Sequence, residues 1–482
     1  MTEARQETHI PWIGQLPESW AVATLKRTTY LKGRIGWQGL TTDEYLPDGD
    51  YLLVTGTDFE AGQVHWSGCP HVDAERYAED PYIQLREDDL LITKDGTIGK
   101  VAIVREMPKP ATLNSGVFVT RPLKAQYRQD FLYWVLVSDV FPEFIAFSMV
   151  GTTINHLYQK TFERFVYPLP PLPEQQRIAA YLDASCAAID AAVAAKRRQL
   201  QTLDDLRLTV IREATTRGIN AGVKMRGSDI DWLPQIPGHW AAAKLKRHTQ
   251  LLRGQFMHRP RSDPAFYGGP YPFIQTGSIS AADKFITEFA QTLNEEGLRI
   301  SRMFPKGTVV MSITGAKIAE VAVTTFDACF PDSIVGFIPD HHLNRDFLYY
   351  LLVAIKPALL RATVVTTQPN INYVQIGGNY IPIPPVKEQA VITEHIESKI
   401  QSIRELRKSL ESQITTLTAY RKSLIHECVT GQRRVTEADV ARSQLSKDTR
   451  QLDSEPPEGI GRLETNQSDD LQRLTNRISR RP

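Results

Sequence analysis

Cysteine is scarce: four in 482 residues, at positions 69, 186, 329 and 428, none of them in a CxxC pair. That spacing offers neither a zinc site nor a disulfide framework, and it fits a reducing compartment. No run approaches the roughly 18 consecutive apolar residues that a membrane span needs, and the opening stretch MTEARQETHIPW is too polar for a signal peptide. The expectation is a cytoplasmic chain without membrane contact. An excess of one charge is missing too: Lys+Arg number 56 against Asp+Glu 55, a net charge of +1. That balance argues against bulk electrostatic attraction to nucleic acid and leaves local basic patches open. The chain lacks a GxxxxGK loop followed by Ser or Thr. In Gly96-Thr-Ile-Gly99-Lys100 the glycines stand too close together and Val101 follows the lysine. It also lacks the Asp/Asn-Pro-Pro-aromatic loop and glycine-rich cofactor loop needed to methylate an exocyclic amine. Asp332, Glu397 and Lys399 echo a nuclease set, but the last two belong to a helical segment whose charges face solvent. His156 has no second His or Cys at metal-ligand spacing, so neither a metal nor a catalytic centre is expected.

What the sequence does have is itself, twice. Trp12-Ile-Gly-Gln-Leu-Pro-Glu-Ser-Trp20-Ala-Val-Ala-Thr-Leu25-Lys26-Arg27 returns as Trp232-Leu-Pro-Gln-Ile-Pro-Gly-His-Trp240-Ala-Ala-Ala-Lys-Leu245-Lys246-Arg247. Asp130-Phe-Leu-Tyr133 returns as Asp346-Phe-Leu-Tyr349, and Pro170-Pro-Leu-Pro-Glu174-Gln175 as Pro384-Pro-Val-Lys-Glu388-Gln389. The period is far beyond the 20–50 residues of solenoid repeats, so whole domains are duplicated. A chain of this length needs more than one core in any case.

Two textures alternate within each copy. Residues of roughly 20–170 and 240–385 carry short apolar runs broken by Gly, Pro, Asn and Asp, the pattern of strands and turns. Asp89–Thr93 and Lys100–Val104 flank a glycine turn as a hairpin, repeated by Thr308–Ser312 and Glu320–Thr324, while the two DFLY segments read as buried helices. Neither Gly nor Pro then occurs from Glu174 to Thr216 or from Lys387 to Thr430, and each stretch ends just before a glycine, Gly218 or Gly431. Ile396, Ile403, Leu410, Leu417 and Leu424 repeat every seven residues; Leu182, Ile189, Leu203 and Val210 keep the same spacing with Lys196 interrupting. These are helices built to pair. Each spans about 63 Å at ~1.5 Å per residue. If they pair antiparallel, Thr430 returns to the start of the first domain and the chain acquires a pseudo-two-fold axis. Such a body suits a ligand with half-sites at fixed spacing, of which duplex DNA is the common one.

The runs Asp88-Asp-Leu-Leu-Ile-Thr-Lys-Asp-Gly96-Thr-Ile-Gly99-Lys100, Gly151-Thr-Thr-Ile-Asn155-His156-Leu157 and Pro170-Pro-Leu-Pro-Glu174-Gln175 resemble the specificity (S) subunits of type I restriction-modification systems, over roughly residues 9–431 and in duplicate. The resemblance implies an α+β chain of two strand-rich target recognition domains in tandem, separated by two long helices forming an antiparallel coiled coil. The divisions expected are 1–173 for the first recognition domain, 174–217 for the first helix and 218–386 for a linker and the second domain. The second helix follows at 387–431, then a tail at 432–482 that is disordered or at most transiently helical. It further implies a non-catalytic subunit that reads a bipartite asymmetric DNA site and scaffolds two methyltransferase (M) subunits, with restriction (R) subunits in the full complex. S-adenosylmethionine, ATP and Mg would serve those partners, and this chain would need no cofactor. The second copy departs from the pattern at Thr314-Gly315-Ala316-Lys317 and at Thr366-Thr-Gln-Pro-Asn370-Ile-Asn372.

Candidate DNA contacts are the basic residues Lys26, Arg27, Arg34, Lys246, Arg247, Arg253, Arg259 and Arg261, whose donors match phosphate oxygens and guanine edges. Lys94, Thr97 and Lys100 on the first glycine turn, and Lys317 on the second, suit backbone contact. Asn114, Asn155, Gln368, Asn370 and Asn372 suit adenine edges, and His156 belongs to the resembling loop. The plain alternatives are solvated surface and loop caps. Two other functions remain: a single-chain DNA-modifying enzyme, tested by methylation with the isolated chain, and a coiled-coil adaptor with protein- or glycan-binding domains, tested by selection on random duplexes.

Overall fold

In each half, short apolar runs punctuated by turn residues assemble into mixed, mainly antiparallel sheets, and the uninterrupted stretch behind them forms one long helix. The structure is a computed structural model. It describes residues 4–35, 39–148, 156–315, 317–361 and 370–454, with side chains as far as 445. The chain divides into two units, Met1–Ala195 with Ile414–Pro482, and Lys196–Gln413. Each therefore holds one strand-rich domain and a portion of both long helices, Leu172–Arg217 and Val386–Val429.

The first unit's main sheet has six strands in the order Thr29–Gly33, Val117–Pro122, Leu90–Thr93, Val101–Ile103, Gln63–Val64 and Phe59–Glu60. A second sheet joins Ala111–Leu113, Tyr51–Val54 and His71–Val72. The second unit keeps this plan. Its main sheet runs Thr249–Arg253, Ile334–Pro339, Val309–Ser312, Val321–Thr324, Phe285–Ile286, beside a four-stranded sheet. The expected hairpins are present, with Val101 opposite Ile92 and Val321 opposite Met311. The DFLY segments form the helices Gln129–Val137 and Arg345–Arg361, with Phe131, Leu132, Phe347 and Leu348 buried.

The Glu-Gln pair that opens each long helix is a weld. Gln175 is fully buried; its carbonyl accepts from the Arg128 amide at 2.8 Å and its amide donates to Pro170 O at 2.7 Å. Gln389, also fully buried, accepts from the Asn344 amide at 2.7 Å and donates to the carbonyls of His342 and Pro384 at 2.9 and 2.8 Å. Glu174 accepts from Trp20 Nε1 at 3.0 Å, and Glu388 from Trp240 Nε1 at 3.1 Å. The same tryptophans meet the glycines that end the helices. A Cβ on Gly431 would stand 3.3 Å from Trp20, and one on Gly218 3.2 Å from Trp240; both glycines have positive φ. Each indole thus ties one helix start and one helix end to a recognition domain, which explains why the two tryptophans recur in register.

Pairing is antiparallel within each unit. In the first, Arg421 bonds Asp190 at 2.9 Å while Arg433 lies over Tyr181, 5.4 Å from the ring centre. In the second, Lys196 meets Gln413 and Arg407 meets Asp204. Of the expected seam, Leu182, Ile189, Ile396, Ile403 and Leu424 are buried, and Leu203, Val210, Leu410 and Leu417 half-buried. Ile211 and Ala214, off the seven-residue spacing, are buried in one cluster with Ile392, Ile396 and Ile400 of the other long helix and with the second domain's core. Arg5 donates to the carbonyls of Gly431 and Thr430 at 2.9 and 3.5 Å, so the second helix does end at the first domain's start. By length and composition Leu172–Arg217 is apolar enough to cross a membrane, but its apolar residues Leu182, Ile189 and Val193 lie buried in one core with Leu424 and Ile425.

One expectation needs correction. The tail from 432, expected to be disordered or at most transiently helical, carries the helix Glu437–Ser454. Thr436 and Asp439 cap it reciprocally, the Thr436 hydroxyl donating to Asp439 at 2.6 Å and the Asp439 amide to the Thr436 hydroxyl at 3.3 Å. Val435 is buried and Val440 packs on the first core, so two apolar side chains and one cap offset a polar composition. Residues 455–482 lie outside the described ones.

Candidate nucleic-acid interface

The strands Thr29–Gly33 and Leu90–Thr93 are both antiparallel to Val117–Pro122, so they end at the same edge of the sheet. From that edge the glycine turn projects. Its base is closed by a side chain: Thr93 Oγ1 donates to the Thr97 carbonyl at 2.5 Å and accepts from the Lys100 amide at 2.9 Å. Gly96 and Gly99 take the positive φ the turn requires. Thr97 and Lys100 are exposed on it. The second unit repeats the device with serine: Ser312 Oγ donates to the Lys317 carbonyl at 2.9 Å and accepts from the Glu320 amide at 3.2 Å, leaving the Lys317 side chain exposed.

In both units the distant loop is laid on this turn. His156 bridges Asp95 through the backbone, Leu157 N donates to Lys94 O at 2.8 Å, and His156 Nδ1 meets the Asp95 carboxylate. Asn370 likewise bridges Thr314, with Ile371 N donating to Ile313 O at 2.9 Å. Asn370 is exposed, whereas Asn372 caps the helix Tyr373–Gly378, its side chain accepting from Val374 N at 2.9 Å. Asn155 and Gln368 lie outside the described residues. Tyr158, which the sequence reading passed over, is largely exposed and stands edge-on to His156 with ring centres 4.6 Å apart.

Three candidates turn out to be internal. Arg34 is 1% exposed; its Nε donates to Leu113 O at 2.8 Å and its guanidinium bonds Glu79 at 2.7 Å. Lys94 is buried over the Phe118 ring with Nζ donating to Arg34 O at 3.3 Å, and burial pushes its pKa below the ordinary lysine value. Asn114 accepts from the amides of Leu40 and Ser115 and donates to Leu40 O and Tyr45 Oη. Their polar groups are spent holding the edge together, not on a ligand.

Lys26, Arg27, Lys246 and Arg247 are exposed, but they immediately precede the strands Thr29–Gly33 and Thr249–Arg253. They therefore sit at the opposite edge from the turns, about 16 Å away at ~3.3 Å per residue. Arg253, Arg259 and Arg261 are on the turn edge, because Ile313, which leads into the second glycine turn, donates its amide to Ser333 O at 2.9 Å. All three converge on the neighbouring Asp332. Arg253 Nε donates to its carbonyl at 2.5 Å, Arg259 reaches its carboxylate at 3.4 Å, and Arg261 bonds it directly. Arg302, unremarked in the sequence, donates to Arg253 O at 3.1 Å.

The nuclease echo dissolves in the same contacts: Asp332 is held by arginines, and Glu397 by the buried Lys284. Among the described residues no three His, Cys, Asp or Glu side chains gather as a metal site. All four cysteines are buried, and burial pushes the thiols of Cys69, Cys186 and Cys428 up to about 12.

The family model described as type I restriction modification DNA specificity domain matches residues 40–201 and 259–416. The chain is 24% identical over 450 residues to the type I restriction enzyme MjaVIII specificity subunit of Methanocaldococcus jannaschii, covering 87% of this chain and 94% of that one. It is 22% identical over 438 residues to the EcoKI specificity subunit of Escherichia coli, covering 87% and 90%. Its fold resembles a chain from the structural study of complex assembly and conformational transition of the type I R-M system, with a TM-score of 0.68, 19% identity, and 86% and 98% of the two chains covered. The HsdS subunit from Thermoanaerobacter tengcongensis follows with a TM-score of 0.50, 17% identity, and 87% and 98% covered. Matched in duplicate over more than half of its length, the chain belongs to the type I restriction-modification DNA specificity family.

Proposed function

We propose that this chain reads a bipartite, asymmetric DNA site, each recognition domain presenting its glycine-turn edge to one half-site. The observation that carries this reading is the repeated edge. In both units an Oγ-closed turn and a loop from far along the sequence are held together, with Thr97, Lys100 and His156 on one and Lys317 and Asn370 on the other. Arg253, Arg259 and Arg261 add positive charge on the second edge alone. Lys26, Arg27, Lys246 and Arg247 are assigned to backbone contact away from that edge. The two edges carry different side chains, so the half-sites they read differ.

The chain contributes no chemistry of its own in this reading. It positions two M subunits, and R subunits in the full complex. S-adenosylmethionine, ATP and Mg belong to those partners, and the whole works in the cytoplasm. Selection from a random duplex library, with the full chain alone and with its M subunits, tests the proposal. A motif of two fixed segments separated by a spacer of constant length is expected. Failure to enrich any split sequence under both conditions refutes it.

A further inference from the structure

We propose that the arginines around Asp332 form a DNA-phosphate site peculiar to the second recognition domain, and that Asp332 is a built-in competitor for the phosphate. This rests on the DNA-reading function proposed above.

Four guanidiniums gather about Asp332, two of them on its one carboxylate. Arg259 and Arg261 share it, while Arg253 and Arg302 have only backbone carbonyls as partners among the described residues. Arg261 Nε is buried with nothing to donate to. The nearby acids are engaged elsewhere: Asp263 accepts from His258 at 3.0 Å and from the Ala265 amide at 3.0 Å, and Glu296 pairs with Arg299 at 2.6 Å. In the first domain Arg34 is closed off by Glu79 and Leu113 O, and Arg76, which shares Glu79, is paired with Glu44 as well, so two carboxylates there answer two arginines. With a net charge of only +1 on the chain, attraction to DNA has to be local, and here the local excess is large.

A guanidinium cluster matches the oxygens of a phosphodiester in pairs. The Asp332 carboxylate already occupies that place. It keeps the arginines gathered at the cost of shielding them, so non-specific duplex binds weakly and only a duplex held by correct base contacts displaces it. Asp332 is then a specificity determinant that touches no base, by making the wrong complex worse.

Binding of the full chain, with its M subunits, to a duplex carrying the selected motif and to a scrambled duplex between 50 and 200 mM salt is the test. Asp332→Asn should tighten the scrambled duplex about three- to tenfold and lower the preference for the motif. Removing that one negative charge should also steepen log K against log salt by roughly 0.9, the value of one phosphate contact. Arg302→Gln, a change on the half-buried rim, should flatten the same slope by about that amount. Unchanged scrambled affinity in the first variant, or an unchanged slope in the second, overturns the proposal. If Asp332→Asn does not fold, the slopes of Arg302→Gln and Arg253→Gln decide alone. A wild-type chain that selects no motif sinks the DNA-reading function instead, which separates the two failures.

Discussion

Replacing Gln389 by leucine removes every polar atom from the side chain and shortens it by one bond. In the structure this side chain is fully buried and makes three hydrogen bonds, to Asn344 N, His342 O and Pro384 O. A buried polar group left without its partner costs about 1–3 kcal/mol, and the two carbonyls have second lone pairs that soften their share. A loss of about 3–5 kcal/mol follows for the second unit. Gln175→Leu strands only the Arg128 amide and the Pro170 carbonyl, about 2–3 kcal/mol on the same scale. Hydrogen exchange in the native full chain reads each unit separately. In Gln389→Leu, the slowest amides of the helix Arg345–Arg361 should exchange roughly a thousandfold faster, since 1.4 kcal/mol is a factor of ten. Those of Gln129–Val137 should hold their rate. A change below about tenfold, or equal acceleration in both units, would show that the Glu-Gln pair is not what welds helix to domain.

Arg34→Ala should destabilise the first unit by about 3 kcal/mol in urea unfolding, because it leaves buried partners unpaired, whereas Lys100→Ala should change stability by less than about 0.5 kcal/mol and weaken DNA binding instead. His395 has its pKa lowered by burial, with the Lys399 charge adding to it. The unfolded chain therefore takes up that proton first. Its contribution to stability is fully present above the unfolded value of 6.5 and declines as pH falls through that value toward the lower folded one. Between pH 7.5 and 5.5 the urea midpoint should fall more in the wild type than in His395→Gln; equal falls would contradict the assignment. Deleting 197–203 together with 407–413 removes one heptad from each helix, about 10 Å at ~1.5 Å per residue. The spacer of the motif selected from random duplexes should shorten by about three base pairs with the half-sites unchanged.

The duplication, both hairpins, both long helices and the seam were legible because each rests on local periodicity or on a repeated string. Heptad spacing found Leu182, Ile396 and Leu424; it missed Ile211 and Ala214, which pack in one cluster with Ile396 and the second domain's core, where the core adds contacts outside a two-helix seam. The tail helix was missed because composition outweighed the signals at Thr436, Asp439 and Val440. At the candidate site the limit was of a different kind. Lys94 and Lys100 stand six residues apart on one turn, yet one is buried over Phe118 and the other exposed. A strand direction decides this, and residue type alone does not contain it. Asp332 drew notice for the wrong chemistry because its arginine partners are up to 79 positions away in sequence.

The two copies differ in a pattern of their own. What joins domain to helix is kept to the atom: an indole on the helix-opening glutamate, a buried glutamine on a backbone amide, a helix-ending glycine against the same indole. What projects from the sheet edge is not kept. Thr93 becomes Ser312 at the turn's base, where either hydroxyl closes the ring, while Gly99-Lys100 becomes Ala319-Glu320 in a turn one residue longer. Arg34, sealed by Glu79, gives way at the other edge to an open cluster about Asp332. Catalysis by each domain would require the reverse, since a reaction shared by two copies fixes the tips and tolerates change in the mount. A constant mount under variable tips is the arrangement that lets one copy read a sequence the other does not, and a single exchange tests it. Placing the 313–319 turn and 330–333 loop of the second domain on the first should change the first half-site only, with the spacer and second half-site intact.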